Sequence, residues 1–326
     1  VFPANNANLL LSAARVSFAA TDVADVCLYD TTKDSDGGAW TRKVQALSYY
    51  NEGAGTYRGV RAGVPSKMQI VASTANSVQI NDADDPTTPM WMRFVYGASN
   101  LLHEQVISTG YIVAGEGIII FNIGASSLYI IDLTTDSAIS PYNGNSAGRG
   151  DFLGNLALRN TGVGYSGVGA GWGFSGFVGH PYCYDADIGV RSTSAIASNR
   201  LGLRNPIIAV ATATNLSLID FETKTIYNSA ENTGFKGVCI RDNRIYSHDG
   251  TNYYSCDIPT ATGFRAKAVV YGTDVPTLTG TIPTKFCEPS ALIRYGGVTL
   301  IKPNATDVTR TLVNDITNTY QTGWRN

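Results

Sequence analysis

The sequence predicts an all-β fold, an irregular β-propeller of about five to seven blades with long Gly-rich loops, and three observations predict it. Branched or aromatic runs are cut by polar tight turns, most clearly in residues 111–132 (YIVAGEGIIIFNIGASSLYIID), 205–227 (NPIIAVATATNLSLIDFETKTIY) and 235–257 (FKGVCIRDNRIYSHDGTNYYSCD). Adjacent clear hairpin units start about 30 residues apart, somewhat closer than the roughly 40 to 45 residues of a regular WD-type blade. The strand-helix-strand alternation that an α/β fold requires is missing. An antiparallel β-sandwich is the alternative arrangement of the same strands.

Taken in order, residues 1–15 are expected to form an irregular arm with a short apolar anchor at 9–11. Residues 16–313 make the propeller-like body, and 314–326 begin a linker or C-terminal region that continues further. Residues 15–29 supply one or two strands that run into the polar turn 30–40 (DTTKDSDGGAW), closed by Trp40. Residues 67–80 form a hairpin with its turn near 73–76. A loop follows at 81–89 (NDADDPTTP), then a strand of large side chains at 90–96 (MWMRFVY). Residues 98–106 (ASNLLHEQV) are the best helix candidate, short enough for only a turn or two. In the Gly-rich stretch 137–179, Tyr165, Trp172, Phe174 and Phe177 interleave with the glycines. That pattern fits ordered chain in which Gly supplies positive φ and the aromatics pack, with a surface loop for subunit contacts as the other reading. After residue 258 the pattern weakens, and 291–301 (ALIRYGGVTLI) adds a strand pair around Gly296 and Gly297.

Charged residues make up 15% of the 326, against about 25% in ordinary soluble domains, and the formal net charge is -2. A lightly charged surface suits a protein that lies against other subunits. Scattered Lys and Arg in near-neutral balance exclude a nucleic-acid scaffold, which needs a concentrated basic stripe; the RGVR stretch at 58–61 is too short to supply one. Cys27, Cys183, Cys239, Cys256 and Cys287 contain no CxxC and read as buried free thiols, although Cys239 and Cys256 are expected on adjacent strands. No 18-residue apolar span exists, so no membrane-inserted helix is expected. The apolar start lacks a basic n-region and is not read as a signal peptide.

Acidic residues concentrate in two loops, at Asp30, Asp34 and Asp36 and at Asp82, Asp84 and Asp85. Asp34 and Asp36, followed by two glycines, are candidate calcium ligands because Ca²⁺ takes clustered oxygens on a turning loop. The bidentate Glu of an EF-hand is missing, so a solvated turn with Asx caps is the preferred reading. Glu52 and Glu116 are further acids without a recognisable acid/base setting. His103, His180 and His248 are isolated in sequence, and neither a Walker loop nor a G-x-S-x-G elbow occurs. These absences predict a protein that is not an enzyme and requires no cofactor. Trp40, Tyr49, Tyr50, Trp172, Tyr253 and Tyr254 are the candidate contact residues, able to stack on sugar rings or to anchor subunit interfaces.

Residues 26–52 (VCLYDTTKDSDGGAWTRKVQALSYYNE) and 78–94 (VQINDADDPTTPMWMRF) resemble a group of structural proteins of tailed bacteriophages, especially phages of marine bacteria. In that group a YDT-x-x-DSDGGAW segment leads to a WYNE-like or YYNE-like element and then to YDGDDP-x-x-PMWM. The matching positions here are Tyr29, Asp30, Thr31, 34–40, 49–52, Asp84, Asp85, Pro86 and 89–92. Residues 320–324 (YQTGW) are similar to the segment preceding a C-terminal, lectin-like region in longer members. This chain departs at 81–83, where Asn-Asp-Ala replaces Tyr-Asp-Gly, and at 43–46, where relatives are more basic. The resemblance implies a virion component of the tail or a tail appendage, built from copies of itself and other virion proteins. A receptor-binding module for host cell-surface polysaccharide is the alternative, and a glycan hydrolase a more distant one. Direct nucleic-acid contact and membrane insertion are not expected.

Overall fold

The computed structural model describes residues 23–103, 111–122, 128–141, 150–166, 173–191, 199, 201–241, 243–249, 253–265, 267–268, 299–301 and 311–313. The N-terminal arm 1–15, the terminal segment 314–326, Trp172 and Cys287 lie outside the described residues.

The strands form four four-stranded antiparallel sheets, each a meander in which every strand pairs with its neighbour in sequence. The first holds β1 (Val23–Asp30), β2 (Lys67–Ser73), β3 (Ser77–Asp82) and β4 (Met90–Val95). The second holds β5 (Tyr111–Gly115), β6 (Ile118–Asn122), β7 (Leu128–Asp132) and β8 (Ser137–Ile139). The third holds β9 (Cys183–Val190), β10 (Pro206–Thr212), β11 (Leu216–Asp220) and β12 (Thr225–Asn228), and the fourth β13 (Gly237–Arg241), β14 (Arg244–His248), β15 (Tyr253–Asp257) and β16 (Lys267–Ala268). A separate pair joins β17 (Thr299–Ile301) to β18 (Thr311–Val313). Separate four-stranded meanders are the repeating unit of a propeller, not the two packed sheets of a sandwich. The chain forms two compact units, Val1–Gly173 with Ser198–Arg204 and Pro289–Tyr295, and Phe174–Ala197 with Asn205–Glu288 and Gly296–Asn326.

In the first three sheets the middle strands are buried on both faces. Every residue of β3, β6, β7, β10 and β11 is buried, whereas β1 alternates. That explains runs such as Ile118–Asn122 (IIIFN), where a one-sided sheet would show period-two alternation. The core of the first unit gathers Trp40, Tyr49, Met68, Ile80, Trp91 and Phe121. That of the second centres on Ile207, Leu218, Phe235 and Ile245. Between β5 and β6 the turn residues Glu116 and Gly117 have φ of 52° and 74°. Positive φ at both central positions is what a two-residue type I′ hairpin demands. A Cβ on Gly117 would also lie 2.3 Å from Thr134 Cγ2.

The repeat is visible in chemistry as well as topology. The third strand of each sheet ends in aspartate: Asp82, Asp132, Asp220 and Asp257. Asp132 Oδ1 accepts from Thr134 N at 2.7 Å and Thr135 N at 3.2 Å. Asp220 Oδ1 accepts from Glu222 N at 2.9 Å and Thr223 N at 3.2 Å. Asp82 Oδ1 accepts from Asp84 N at 3.0 Å. Residues 131–137 (IDLTTDS) and 219–225 (IDFETKT) are one turn written twice, with φ of 61° at Asp136 and 54° at Lys224. The first strands carry a second device. Asp25 Oδ2 accepts the β5 amide of Ile112 at 2.7 Å, and Asp185 Oδ2 and Asp187 Oδ2 accept the β13 amides of Val238 and Ile240 at 3.0 and 2.8 Å. Each carboxylate thereby satisfies edge-strand donors of the following sheet, which burial would otherwise leave costly.

Asp220 is fully buried and its Oδ2 also pairs with Arg191 at 2.6 Å. Asp220→Ala should therefore cost the second unit about 3 kcal/mol, because it leaves a half-buried guanidinium without its carboxylate. Asp132→Ala, which removes turn hydrogen bonds, should cost the first unit about 1–2 kcal/mol. Urea unfolding of the two variants checks the order.

Two local expectations change. Residues 98–103 form turns and not a helix: Asn100 N donates to Gly97 O at 2.8 Å, within one turn of the Gly97 break, while 104–106 lie outside the described residues. Thr299–Ile301 pairs with Thr311–Val313, while residues 291–298, which hold the rest of the expected strand pair and its Gly-Gly turn, lie outside the described residues. Cys239 and Cys256 sit on β13 and β15 with β14 between them, so the two are not on adjacent strands. Cys27, Cys183, Cys239 and Cys256 are thiols, not half-cystines. Burial pushes the Cys183 and Cys256 thiols up to about 12.

Candidate functional site

The segment that follows β1 is built around one carboxylate. Asp30 caps a 3-10 turn, Thr31–Lys33, by accepting from Thr32 N at 3.1 Å. Gly38 takes φ of 82°, and a Cβ there would lie 3.0 Å from Thr31 O, so only glycine lets the chain double back and swing Trp40 inward. Trp40 Nε1 then donates to Asp34 Oδ2 at 2.7 Å, the Tyr29 hydroxyl donates to the same oxygen at 2.5 Å, and Glu116 N donates to Oδ1 at 2.8 Å. The Tyr29 oxygen in turn accepts from Gly117 N at 2.7 Å. Glu116 reciprocates: its Oε1 accepts from Ser35 N at 2.9 Å and its Oε2 from Ser35 Oγ at 2.5 Å.

Burial raises Asp34 to about 6, against the opposing hydrogen bonds from Tyr29, Trp40 and the Glu116 amide. Burial likewise raises Glu116 to about 7, with the Ser35 bonds opposing and the charges of Asp34 and Asp36 adding to the rise. Asp34 is accordingly a structural acceptor. Both of its oxygens already hold N–H or O–H donors, and Asp36 Oδ1 accepts from Gly38 N at 2.9 Å. Among the described residues no group of three or more His, Cys, Asp or Glu is arranged to hold a metal ion. The candidate calcium loop is thus a hydrogen-bonded junction in which the glycines serve the backbone turn.

The YYNE and PMWM elements meet around two buried guanidinium groups. Arg58 Nε donates to Tyr49 O at 3.2 Å, Nη1 to Trp91 O at 2.6 Å and Nη2 to Ala62 O at 2.8 Å, and the group lies 4.9 Å from the Trp91 ring centroid. Arg159 forms a two-pronged pair with Glu52, Nη1 to Oε2 at 2.6 Å and Nη2 to Oε1 at 3.1 Å. It also donates to the carbonyls of Arg93, Leu156 and Tyr57 at 2.8, 2.7 and 2.5 Å. Arg58 Nε stands 3.9 Å from the same Glu52 carboxylate. Burial lowers Arg58 to about 10, with Glu52 opposing. Asp84 accepts from Ser66 N and Oγ at 2.7 and 2.5 Å, from Lys67 N at 3.1 Å and from Arg61 Nη1 at 3.1 Å, and Asp85 closes a turn onto Thr87 N at 2.8 Å. The second acidic loop is therefore turn chemistry too.

The aromatic candidates separate cleanly. Trp40 and Tyr49 are wholly buried, and Tyr49 donates to Leu133 O at 2.7 Å while its ring meets Trp91 edge-on at 5.9 Å. They are core residues, because each ring fills a space between the β1–β2 connection and neighbouring strands while its polar tip finds a partner. Tyr50 is half-buried against the same cluster. Tyr254, half-buried, donates to Asp249 at 2.6 Å and packs edge-on against Phe235 at 5.2 Å. Tyr253 lies in β15. Among the described residues, the large apolar side chains that face solvent are Tyr57, Val60, Tyr96, Leu153 and Leu158 in the first unit and Tyr182 in the second. Arg58 and Arg159 were the residues missed. Arg58 stands in the RGVR stretch, which looks like a small surface patch, and no spacing signal marks a buried arginine.

No protein-family model matches the sequence. No curated protein matches it either. Among solved structures the chain is similar to the Neurospora crassa Pan2 WD40 domain, at 9% identity and a TM-score of 0.32 over 61% of this chain and 45% of that one. It is also similar to a chain of the mitotic checkpoint complex, at 10% identity and a TM-score of 0.32 over 59% and 44%. A chain of the COPII coat assembled on membranes aligns at 10% identity and a TM-score of 0.36 over 63% of this chain. This chain spans 26% of the length of that coat chain and less than half of the other two. The all-β, propeller-type architecture rests on the four meander sheets themselves.

Proposed function

We propose that this protein is a structural component of a bacteriophage virion, a tail or tail-attached protein that builds an oligomeric assembly from copies of itself and other virion proteins. The observation that carries this reading is the convergence of the resembling segments. Asp34 and Trp40, Tyr49 and Glu52, and Trp91 come from three separated stretches of sequence and all help hold the first unit together. The side-chain polar atoms of Asp34, Trp40, Tyr49 and Glu52 are engaged in hydrogen bonds within the body, the arrangement expected of a scaffold. Solvent-facing Tyr57, Val60, Tyr96, Leu153 and Leu158 are the kind of large apolar side chain that subunit contacts use as anchors.

A cryo-electron-microscopy map of the intact particle tests the proposal by locating density for residues 111–257. A symmetric, repeated placement in the tail or its junction is the expected result. Peripheral density with its aromatics facing solvent would put receptor recognition of cell-surface polysaccharide first. A particle without this chain would end the structural reading.

A further inference from the structure

We propose that residues 53–60, 94–102 and 153–163 of the first unit form an uncharged apolar face on which a second copy of this chain docks through the same face. The inference rests on the oligomeric reading above and gives it a location. Among the described residues, five of the six large apolar side chains that face solvent lie in these stretches: Tyr57, Val60, Tyr96, Leu153 and Leu158. Val60 is 89% exposed and Leu153 60%. The sixth, Tyr182, belongs to the second unit.

The three stretches are distant in sequence but stitched into one surface. Gly59 N donates to Trp91 O and Arg93 N to Tyr57 O, both at 3.0 Å, so residues 57–59 lie along the outer edge of β4. A Cβ on Gly59 would stand 1.8 Å from Met90 O, so this approach requires glycine. Beyond β4, Val95 N donates to Asn160 Oδ1 at 2.9 Å, Leu101 N to Arg159 O at 2.9 Å and Gly162 N to Asn100 Oδ1 at 3.0 Å. Leu153 N donates to Gly164 O at 3.0 Å, and Gly164 N to Ser99 O at 2.7 Å. Arg159 lies beneath the seam and holds the carbonyls of Tyr57, Arg93 and Leu156 together. The face is preformed, so docking on it has little chain to order.

Charge decides what fits. Arg58 and Arg159 are the charged residues within these stretches, and each side chain is 1% exposed. Their N–H groups turn inward, to Glu52 and to backbone carbonyls. Glu52, Arg93 and Asp151 stand at the ends of the stretches, which gives the neutral middle and polar rim of a subunit contact. An uncharged face is complementary to itself. Turned about a two-fold axis it meets its own image, and no charge loses water without gaining a partner. Strand addition is not the mode of contact, because residues 57–59 already cover the β4 edge. The two copies meet through side chains.

Sedimentation velocity of the full chain from about 1 to about 100 µM tests this, and wild type should pass from monomer to dimer across that range. Leu153→Glu and Leu158→Glu each set a charge inside the contact and should weaken association at least about tenfold. Tyr182→Glu, in the second unit, should leave it unchanged. Both leucines are exposed, so the variants should keep the wild-type urea midpoint, which separates lost docking from lost folding. Independently of any variant, hydroxyl-radical labelling of Tyr57, Leu153 and Leu158 should fall as concentration rises, while that of Tyr182 stays constant. A wild-type chain still monomeric at about 100 µM overturns the proposal, and protection of the face in the intact particle alone would then assign it to a different virion protein. An association that both glutamates leave intact, or that Tyr182→Glu weakens equally, also overturns it. The virion reading survives any of these results and fails separately, if the particle lacks this chain.

Discussion

Arg159→Leu will destabilise the first unit by about 3–5 kcal/mol, the range for removing one partner of a buried, hydrogen-bonded ion pair. The side chain is 1% exposed and makes five hydrogen bonds, two to Glu52 and one each to the carbonyls of Arg93, Leu156 and Tyr57. Leucine fills much of the volume but leaves Glu52 facing only Arg58 at 3.9 Å, and it strands three carbonyls. Arg159→Lys should recover little, because a single ammonium cannot reproduce the planar fork that reaches four groups at once. The double variant Arg159→Leu with Glu52→Gln should be less destabilised than the sum of the two single changes. Urea unfolding followed by tryptophan fluorescence measures all three. A loss under about 1 kcal/mol for Arg159→Leu would show that this junction is not what holds the β4 edge to the 156–159 turn.

Trp40→Ala comes next, with an expected loss of about 3–5 kcal/mol for deleting a large buried ring. Trp40→Phe separates packing from hydrogen bonding. It keeps most of the ring but removes the indole N–H from Asp34, and should cost about 1–3 kcal/mol near pH 8. The deficit should shrink below about pH 6, where Asp34 takes up its proton and the missing donor matters less. Thermal unfolding of both variants across that range provides the check. A pH-independent deficit for Trp40→Phe would mean that the indole contributes through its volume alone.

Element existence was legible where turn chemistry and period agreed. The three hairpin stretches quoted at the outset became β5–β7, β10–β12 and β13–β15, with positive φ at Glu116, Gly117, Lys224 and Asn243 turning the chain between branched runs. Within the expected helix at 98–106, the described residues 98–103 form turns, opened by the Asn100 N–H bond to Gly97 O. Side-chain roles were harder. Acidic residues beside glycines look alike whether they hold an ion or a backbone amide, and only the positions of Trp40 Nε1 and the Glu116 amide decide between these for Asp34. Aromatic residues next to turns look like surface contacts until the chain folds them inward, as it does with Trp40 and Tyr49. The recurring aspartate at the end of each third strand was present in the sequence but spread over unequal spacings, so it became a repeat only once the strands were aligned.

The inward placement of Asp34, Trp40, Tyr49, Trp91 and Met92 within the DSDGGAW, YYNE and PMWM segments has an evolutionary consequence. Residues that interlock in an interior are energetically coupled, so a change at one is tolerated best with a matching change at its neighbour, whereas a solvent-facing side chain carries no such coupling within the body. Proteins that share these three segments would keep a common chassis beneath exteriors free to differ. Two such proteins could then be recognised as kin by their insides long after nothing on their outsides could be aligned.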